Sequence, residues 1–258
     1  MASAPNANLP MFYKSLIPLN SNQHGAFKAK STDKAPWLAN EHAIPLTVEE
    51  FPMAQRHFPI IFSSGENPVP LALMGLNEGV NVFFDEDGSM GTNCYVPAYV
   101  RRYPFMLARL QPDSDQLSLC FDPSTDLVGE FDDGEALFAD GQPSEATQNI
   151  LKFNEHFETA GQKTKAFIDE LKKHDLLMDG ELSIARDEGQ PFVYRGFQMV
   201  NQEKLKEVRG DVLRQWNQNG LWMLIVAHLF SLDLTREIFS RQIAQGKGPQ
   251  LQPQPANA

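Results

Sequence analysis

Pro59-Ile-Ile-Phe-Ser63, Leu71-Ala-Leu-Met-Gly-Leu76 and Val80-Asn-Val-Phe-Phe84 carry most of the information about the fold class. Each is a short apolar run bounded by Gly, Pro or Asn, which is typical of a β-strand. Asn77-Glu-Gly79 separates the last two runs and predicts a hairpin turn. Gln116-Leu-Ser-Leu-Cys-Phe121 alternates in polarity and predicts a further strand. Connections this short favour an antiparallel or mixed sheet over repeated βαβ units.

The second half of the chain has helical periodicity. Ser144 is a suitable N-cap for a helical run that extends to about Leu177, and Asn201 caps a further helix that Gly220 ends. The segment 221–230 is apolar nearly all round, so we expect it to be a buried helix. The sequence therefore predicts an α+β fold. A strand-rich N-terminal half has an antiparallel or mixed sheet, and a helix-rich C-terminal half packs on it.

Composition and charge narrow the function classes. The 258 residues include 33 acidic and 22 basic side chains, for a net charge of −11. Such a chain repels phosphate backbones and anionic membranes, so we expect no nucleic-acid partner. The longest apolar run, 221–230, is about half as long as a membrane span requires. We therefore expect no membrane span.

The termini and the cysteines indicate the domain organisation and the compartment. Residues 1–10 lack a basic and an apolar region, so they do not resemble a signal peptide. We expect 1–10 to be disordered, 11–243 to form one domain, and the Pro/Gln-rich 244–258 to be a disordered tail. With only Cys94 and Cys120, a disulfide framework is not needed. A cytoplasmic location is the expectation.

The best candidate site is the stretch Tyr95-Val-Pro-Ala-Tyr-Val-Arg-Arg-Tyr-Pro-Phe105. Arginine forks and aromatic rings together form either an anion- or peptide-binding surface, such as a clamp for a carboxylate, or a tightly packed corner in which an arginine pairs with an internal acid. Arg101 and Arg102 are adjacent on a short helical turn, so they point in different directions. The predicted ligand-binding residues combine this stretch with an earlier cluster: Trp37, His42, Tyr95, Tyr99, Arg101, Arg102, Tyr103 and Phe105.

Motifs for enzymes and metals are missing from the sequence. The six histidines and two cysteines show no zinc-binding spacing, and there is no GxSxG elbow or P-loop. We therefore predict no metal and no cofactor. His228 lies in an apolar segment and is expected to be a core histidine with satisfied hydrogen bonds.

Several segments together resemble the SapC family, and they occur in the family's order over residues 11–243. They are Trp37-Leu-Ala-Asn-Glu-His-Ala-Ile-Pro-Leu46, Phe58-Pro-Ile-Ile-Phe62, Leu73-Met-Gly-Leu-Asn-Glu-Gly-Val-Asn-Val-Phe83, Tyr95–Phe105 and Ala227-His-Leu-Phe-Ser-Leu232. The resemblance brings no catalytic mechanism. It implies a role related to a peptide or an aromatic ligand, because genes of the family lie near those of flavin-dependent halogenase-like proteins and TonB-dependent receptors.

Three hypotheses follow. The first is a non-enzymatic binding or accessory protein for a peptide or a small aromatic or anionic ligand. The second is an enzyme without a recognisable motif, using Glu41, His42 or His57 with Arg101. The third is a structural subunit of a complex, with an apolar interface on residues 221–239. The expected partners are thus a peptide or small molecule and a second protein, and the oligomeric state stays open.

Overall fold

The computed structural model describes residues 9–85, 87–89, 94–110, 116–184 and 191–248. Its strands are β1 (Ile17–Pro18), β2 (Lys28–Ala29), β3 (Ala43–Pro45), β4 (Ile60–Ser63), β5 (Pro70–Leu73), β6 (Phe105–Arg109), β7 (Leu117–Phe121), β8 (Val128–Gly129), β9 (Glu135–Ala136), β10 (Phe138–Ala139), β11 (Gln142–Pro143), β12 (Leu177–Asp179), β13 (Leu182–Ile184), β14 (Phe192–Tyr194) and β15 (Phe197–Val200). Its helices are α1 (Ser21–His24), α2 (Phe51–Ala54), α3 (Ala98–Arg101), α4 (Glu145–Lys173), α5 (Gln202–Lys206), α6 (Gly210–Asn219), α7 (Leu221–Ser231) and α8 (Thr235–Ala244). Short 3-10 turns cover Pro36–Leu38, Val48–Glu50 and Leu232–Leu234. The α+β class is confirmed.

The chain divides into two compact units. The first comprises residues 1–33 and 98–160, and the second comprises residues 34–97 and 161–258. The boundary at 160/161 falls within α4. The expectation of one domain over 11–243 stays a prediction. Most of the predicted disordered termini, 1–8 and 249–258, lie outside the described residues, and α8 runs through Ala244.

The first unit is built on short antiparallel strands. One sheet has the order β1-β7-β6, a second has the order β8-β2-β9, and β10 and β11 form a hairpin. The predicted strand at 116–121 is β7, in which Leu119 pairs with Leu107. The core of this unit is a cluster of four buried apolar side chains, Phe105, Phe121, Val128 and Leu137. Because Phe105 opens β6, this core fixes the chain directly after the tyrosine–arginine stretch.

The second unit contains a five-stranded antiparallel sheet with the order β12-β15-β4-β5-β3. The first two predicted apolar runs form its centre: β4 lies within Pro59–Ser63, and β5 starts one residue before Leu71. Ile60 faces Ala72 across the β4–β5 ladder, and both are fully buried. Short connections therefore gave an antiparallel sheet, as expected.

His228 joins helix α7 to two strands of this sheet. Its Nδ1 lies 2.8 Å from the carbonyl oxygen of Ile60, and the backbone N–H of Val200 donates to its Nε2 at 3.1 Å. Ser231, one turn further along α7, accepts a hydrogen bond from the Ile60 N–H at 2.8 Å. The imidazole also stacks on Phe62, with ring centroids 4.6 Å apart. The expectation of a satisfied core histidine is confirmed.

The predicted strand Val80–Phe84 is wrong. Asn81 is fully buried, and its Oδ1 accepts hydrogen bonds from the N–H groups of Phe83 and Phe84 at 2.8 and 3.2 Å. Its Nδ2 donates to the carbonyl of Leu38 at 3.1 Å. A side chain thus takes up backbone groups that a strand would pair with a neighbouring strand. Asn77-Glu-Gly79 is a turn, with Gly79 at φ +78°, but it does not join two strands.

The cap residues of the helices were predicted more accurately than the helix lengths. The Ser144 hydroxyl accepts from the N–H of Thr147, and α4 continues without a break to Lys173. Asn201 caps α5 through two backbone N–H groups, but the chain leaves the helix between α5 and α6. Gly220 then ends α6 with φ +82°, a left-handed conformation that suits glycine.

The segment 221–230 is not buried all round as expected. Helix α7 buries Ile225, Ala227 and His228, whereas Met223 and Phe230 are 63% and 72% exposed. The helix rests on the sheet with one face, so its opposite face meets solvent despite its apolar side chains. Among the described residues no helix combines the length and hydrophobicity needed to cross a bilayer.

We predict that His228 makes stability fall in mild acid. Burial lowers the pKa of His228 from 6.5 to about 4, although the hydrogen bond with the Ile60 carbonyl opposes this shift. The Val200 N–H can only donate, so its bond also requires an unprotonated Nε2. The unfolded chain takes up this proton first, so the contribution is complete above about pH 6.5 and is lost as the pH falls toward about 4. The total is about 3 kcal/mol.

Urea unfolding at several pH values measures this loss, and His228→Gln provides the comparison without a titrating ring. The free energy of unfolding of His228→Gln should depend less on pH between about pH 4 and 6.5. Imidazole ¹⁵N shifts of the folded wild type should still show a neutral ring at about pH 5. A charged His228 in the folded protein at that pH would contradict the prediction.

Candidate functional site

The predicted site stretch changes direction sharply between Pro97 and Phe105. The boundary between the two units follows Pro97, and α3 is a single helical turn. A cis peptide bond joins Tyr103 to Pro104, after which β6 begins. The N–H of Phe105 donates to the carbonyl of Arg102 at 2.8 Å, which closes the turn. The sequence prediction of a short helical turn after Pro97 is confirmed.

Arg102 lies among three aromatic rings of the first unit. Its guanidinium carbon is 4.4 Å from the ring centroids of Tyr99 and Phe157 and 5.9 Å from that of Tyr13. We call these three rings the Arg102 cage. Only 6% of the Arg102 side chain is exposed. Cation–π attraction contributes about 2 kcal/mol or more at a desolvated site of this kind, so the rings hold the charge in place.

The hydrogen-bonding capacity of the Arg102 guanidinium is largely unused. Among the residues that the structure describes, the nearest carboxylate is that of Glu158, whose Oε1 lies 3.8 Å from Nη1, too far for a hydrogen bond. The buried Nε of Arg102 has no acceptor within the described part of the chain. Glu158 itself is 41% exposed. Burial removes this cation from water, and its loose pairing offsets only part of the lost hydration energy. The buried guanidinium therefore lowers the stability of the folded chain.

The other predicted residues of the first unit lie around the cage or beneath it. Arg101 points elsewhere, and its guanidinium carbon is 5.2 Å from the ring centroid of Phe153. Tyr103 is half-buried, with its ring 5.3 Å from that of Tyr13. Burial raises the pKa of Tyr103. Phe105 is 5% exposed and packs in the core, so it supports the turn from below.

The remaining predicted residues belong to the second unit. Trp37 lies in the 3-10 turn Pro36–Leu38 and is half-buried. His42 is half-buried, and its carbonyl accepts from the N–H of Met74 at 2.7 Å. The Tyr95 hydroxyl donates to Glu50 at 3.0 Å, and Glu50 also accepts from the N–H and hydroxyl of Thr47. Tyr95 thus bonds to the Glu50 carboxylate that forms a capping box with Thr47.

Sequence reasoning missed Tyr13, Phe157 and Glu158 as neighbours of Arg102. They come from segments far from residue 102 in the sequence, and they meet it only in the folded unit. One signal was available, since Phe153 and Phe157 are four residues apart and lie on one face of a helix. These two rings contact the two adjacent arginines, one each.

Burial changes the pKa values of a phenol and two thiols. Burial raises the pKa of Tyr13, so this phenol stays protonated at neutral pH. Burial also raises the pKa of Cys94, to about 11, and that of Cys120. Neither thiol is therefore activated as a thiolate. The described residues contain no group of three or more His, Cys, Asp or Glu side chains that could hold a metal ion.

The chain belongs to the SapC family, whose sequence model matches residues 19–238. The match includes the whole tyrosine–arginine stretch. Comparison with curated protein sequences and with solved structures gave no match.

We predict that Arg102→Met leaves the free energy of unfolding within about 1 kcal/mol of wild type, or raises it. The substitution loses the cation–π attraction but removes a loosely paired buried charge, and a buried ion replaced by an apolar side chain is often neutral or stabilising. Arg101→Met, at the exposed neighbouring position, should change stability by less than about 0.5 kcal/mol. Urea unfolding measures both. A loss above about 3 kcal/mol for Arg102→Met would mean that the cation is a structural requirement.

Proposed function

We propose that this SapC-family chain is a non-enzymatic binding protein for a small aromatic carboxylate, either free or as the C-terminal residue of a peptide. The observation that carries the proposal is the under-satisfied guanidinium of Arg102. It is 6% exposed, and within the described part of the chain it has no carboxylate nearer than 3.8 Å and no acceptor for its buried Nε. A folded chain keeps such a group at a cost, which a ligand that completes its hydrogen bonds would offset.

Glu158 would give up its place to the ligand. Its carboxylate faces Arg102 at 3.8 Å, beyond hydrogen-bonding distance, and is 41% exposed, so it can turn to solvent with little loss. A ligand carboxylate at the Nη atoms would then form short, charge-assisted hydrogen bonds. The acid that partly neutralises Arg102 in the free protein thus acts as a weak competitor.

The aromatic rings would provide contact area for the rest of the ligand. Phe12 lies edge-on to Tyr99 and Tyr103, with centroids 5.5 and 6.2 Å apart, so the cage continues into a wider aromatic surface. Phe12 and Tyr103 are half-buried and keep surface available. Aromatic contacts of this kind contribute about 0.5–1.5 kcal/mol beyond the buried area, which favours an aromatic ligand.

Calorimetric titration with N-acetyl-L-phenylalanine and with its neutral amide tests the proposed binding of a carboxylate to Arg102. The carboxylate form should bind at least about 10-fold more tightly, because only it can form charge-assisted hydrogen bonds with Arg102. Arg102→Met should remove this difference. Glu158→Gln should strengthen binding of the carboxylate, because the competing charge is gone.

Arg101→Met is the matched control, and it should bind both compounds as the wild type does. Circular dichroism establishes that each variant is folded. If Arg102→Met is folded and binds the carboxylate as well as wild type does, the proposal is wrong. The same holds if Glu158→Gln leaves affinity unchanged and only lowers stability, because Glu158 would then be a structural partner of Arg102.

A further inference from the structure

A concave site lies within the second unit, and Arg102, Glu158 and the rings of the Arg102 cage do not line it. It is a pocket of about 470 Å³, within the range of small-molecule sites. Its walls come from the residues that follow α2, from the segment 82–85, from Cys94, and from α8 with the residues that flank it, Leu234 and Gln245. Its apolar lining is Val82, Phe83 and Leu234.

One charged pair of the pocket is already neutralised within the protein. Arg241 and Glu237 are one turn apart on α8, and Nε of Arg241 donates to Glu237 at 3.1 Å. The Arg241 guanidinium also lies over Phe83, 4.7 Å from the ring centroid. Arg241 therefore forms part of the pocket wall, and Glu237 balances its charge.

Arg56 and Asp85 differ from that pair. Both line the same pocket and both are exposed. Neither side chain has an ion pair or hydrogen bond with any other part of the chain that the structure describes. The pocket therefore contains one positive and one negative side chain that can each form hydrogen bonds and an ion pair with a ligand. Its apolar lining can contact the rest of that ligand.

We propose that this pocket binds a zwitterionic α-amino acid with an apolar side chain. The ligand carboxylate pairs with Arg56, its ammonium group pairs with Asp85, and its side chain lies against Val82, Phe83 and Leu234. A purely anionic ligand would be repelled by Asp85, and a purely cationic one by Arg56. A ligand that carries both charges can pair with both groups. This site is independent of the proposed Arg102 site.

The test titrates the full chain with L-leucine and L-methionine by calorimetry. The comparison compounds are L-leucinamide, which lacks the carboxylate, and 4-methylpentanoate, which lacks the ammonium group. The amino acids should bind at least about 10-fold more tightly than either comparison compound. Absence of saturable binding of both amino acids up to about 10 mM would overturn the proposal. So would equal binding of leucine and 4-methylpentanoate.

Variants locate the binding. Arg56→Gln and Asp85→Asn should each weaken leucine binding at least about 10-fold. The matched controls are the exposed Arg236→Gln and Asp233→Asn, whose side chains do not line the pocket. They should bind leucine as the wild type does. Arg102→Met should also leave leucine binding unchanged, which separates this proposal from the one above. Wild-type affinity in folded Arg56→Gln and Asp85→Asn would place leucine elsewhere and overturn the assignment.

Discussion

The second unit depends on the hydrogen bonds between α7 and the backbone of two strands. His228 and Ser231 satisfy both backbone groups of Ile60, and His228 also accepts from Val200. Because β4 and β15 are neighbours in the sheet, one imidazole holds the helix against two strands at once. The imidazole is fully buried, so these bonds form without competition from water. The protonation state of one ring thus becomes a condition of the fold.

Local signals in the sequence were sufficient for much of this architecture. β4 and β7 were predictable because short apolar runs carry their own boundaries, and Ser144 and Asn201 were predictable because a cap acts on the next few N–H groups. The irregular conformation of Val80–Phe84 was not predictable, because Asn81 bonds to Leu38, more than forty residues away. The exposed face of α7 was missed for a related reason: hydrophobicity does not show how many neighbours a helix has.

In the candidate site too, features that depend on neighbouring residues were predictable from the sequence, and contacts between distant segments were not. Adjacent arginines on one helical turn must diverge, and the structure places Arg102 against Tyr99 and Arg101 against Phe153. What the sequence could not provide is the burial of Arg102 or its loose pairing with Glu158, since both depend on α4. The case for binding therefore comes from the structure of the first unit. Membership of the SapC family identifies the part of the chain that the family shares, but it indicates no ligand and no reaction.

A crystal structure of the protein grown with N-acetyl-L-phenylalanine is the most direct test of the claim that Arg102 binds a carboxylate. We expect the ligand carboxylate within hydrogen-bonding distance of the Arg102 Nη atoms, the Glu158 side chain turned to solvent, and the ligand ring against the aromatic surface of the first unit. Ligand density elsewhere, with Glu158 still opposite Arg102, would contradict the account. Arg102 would then be a buried cation held by its rings for the fold alone.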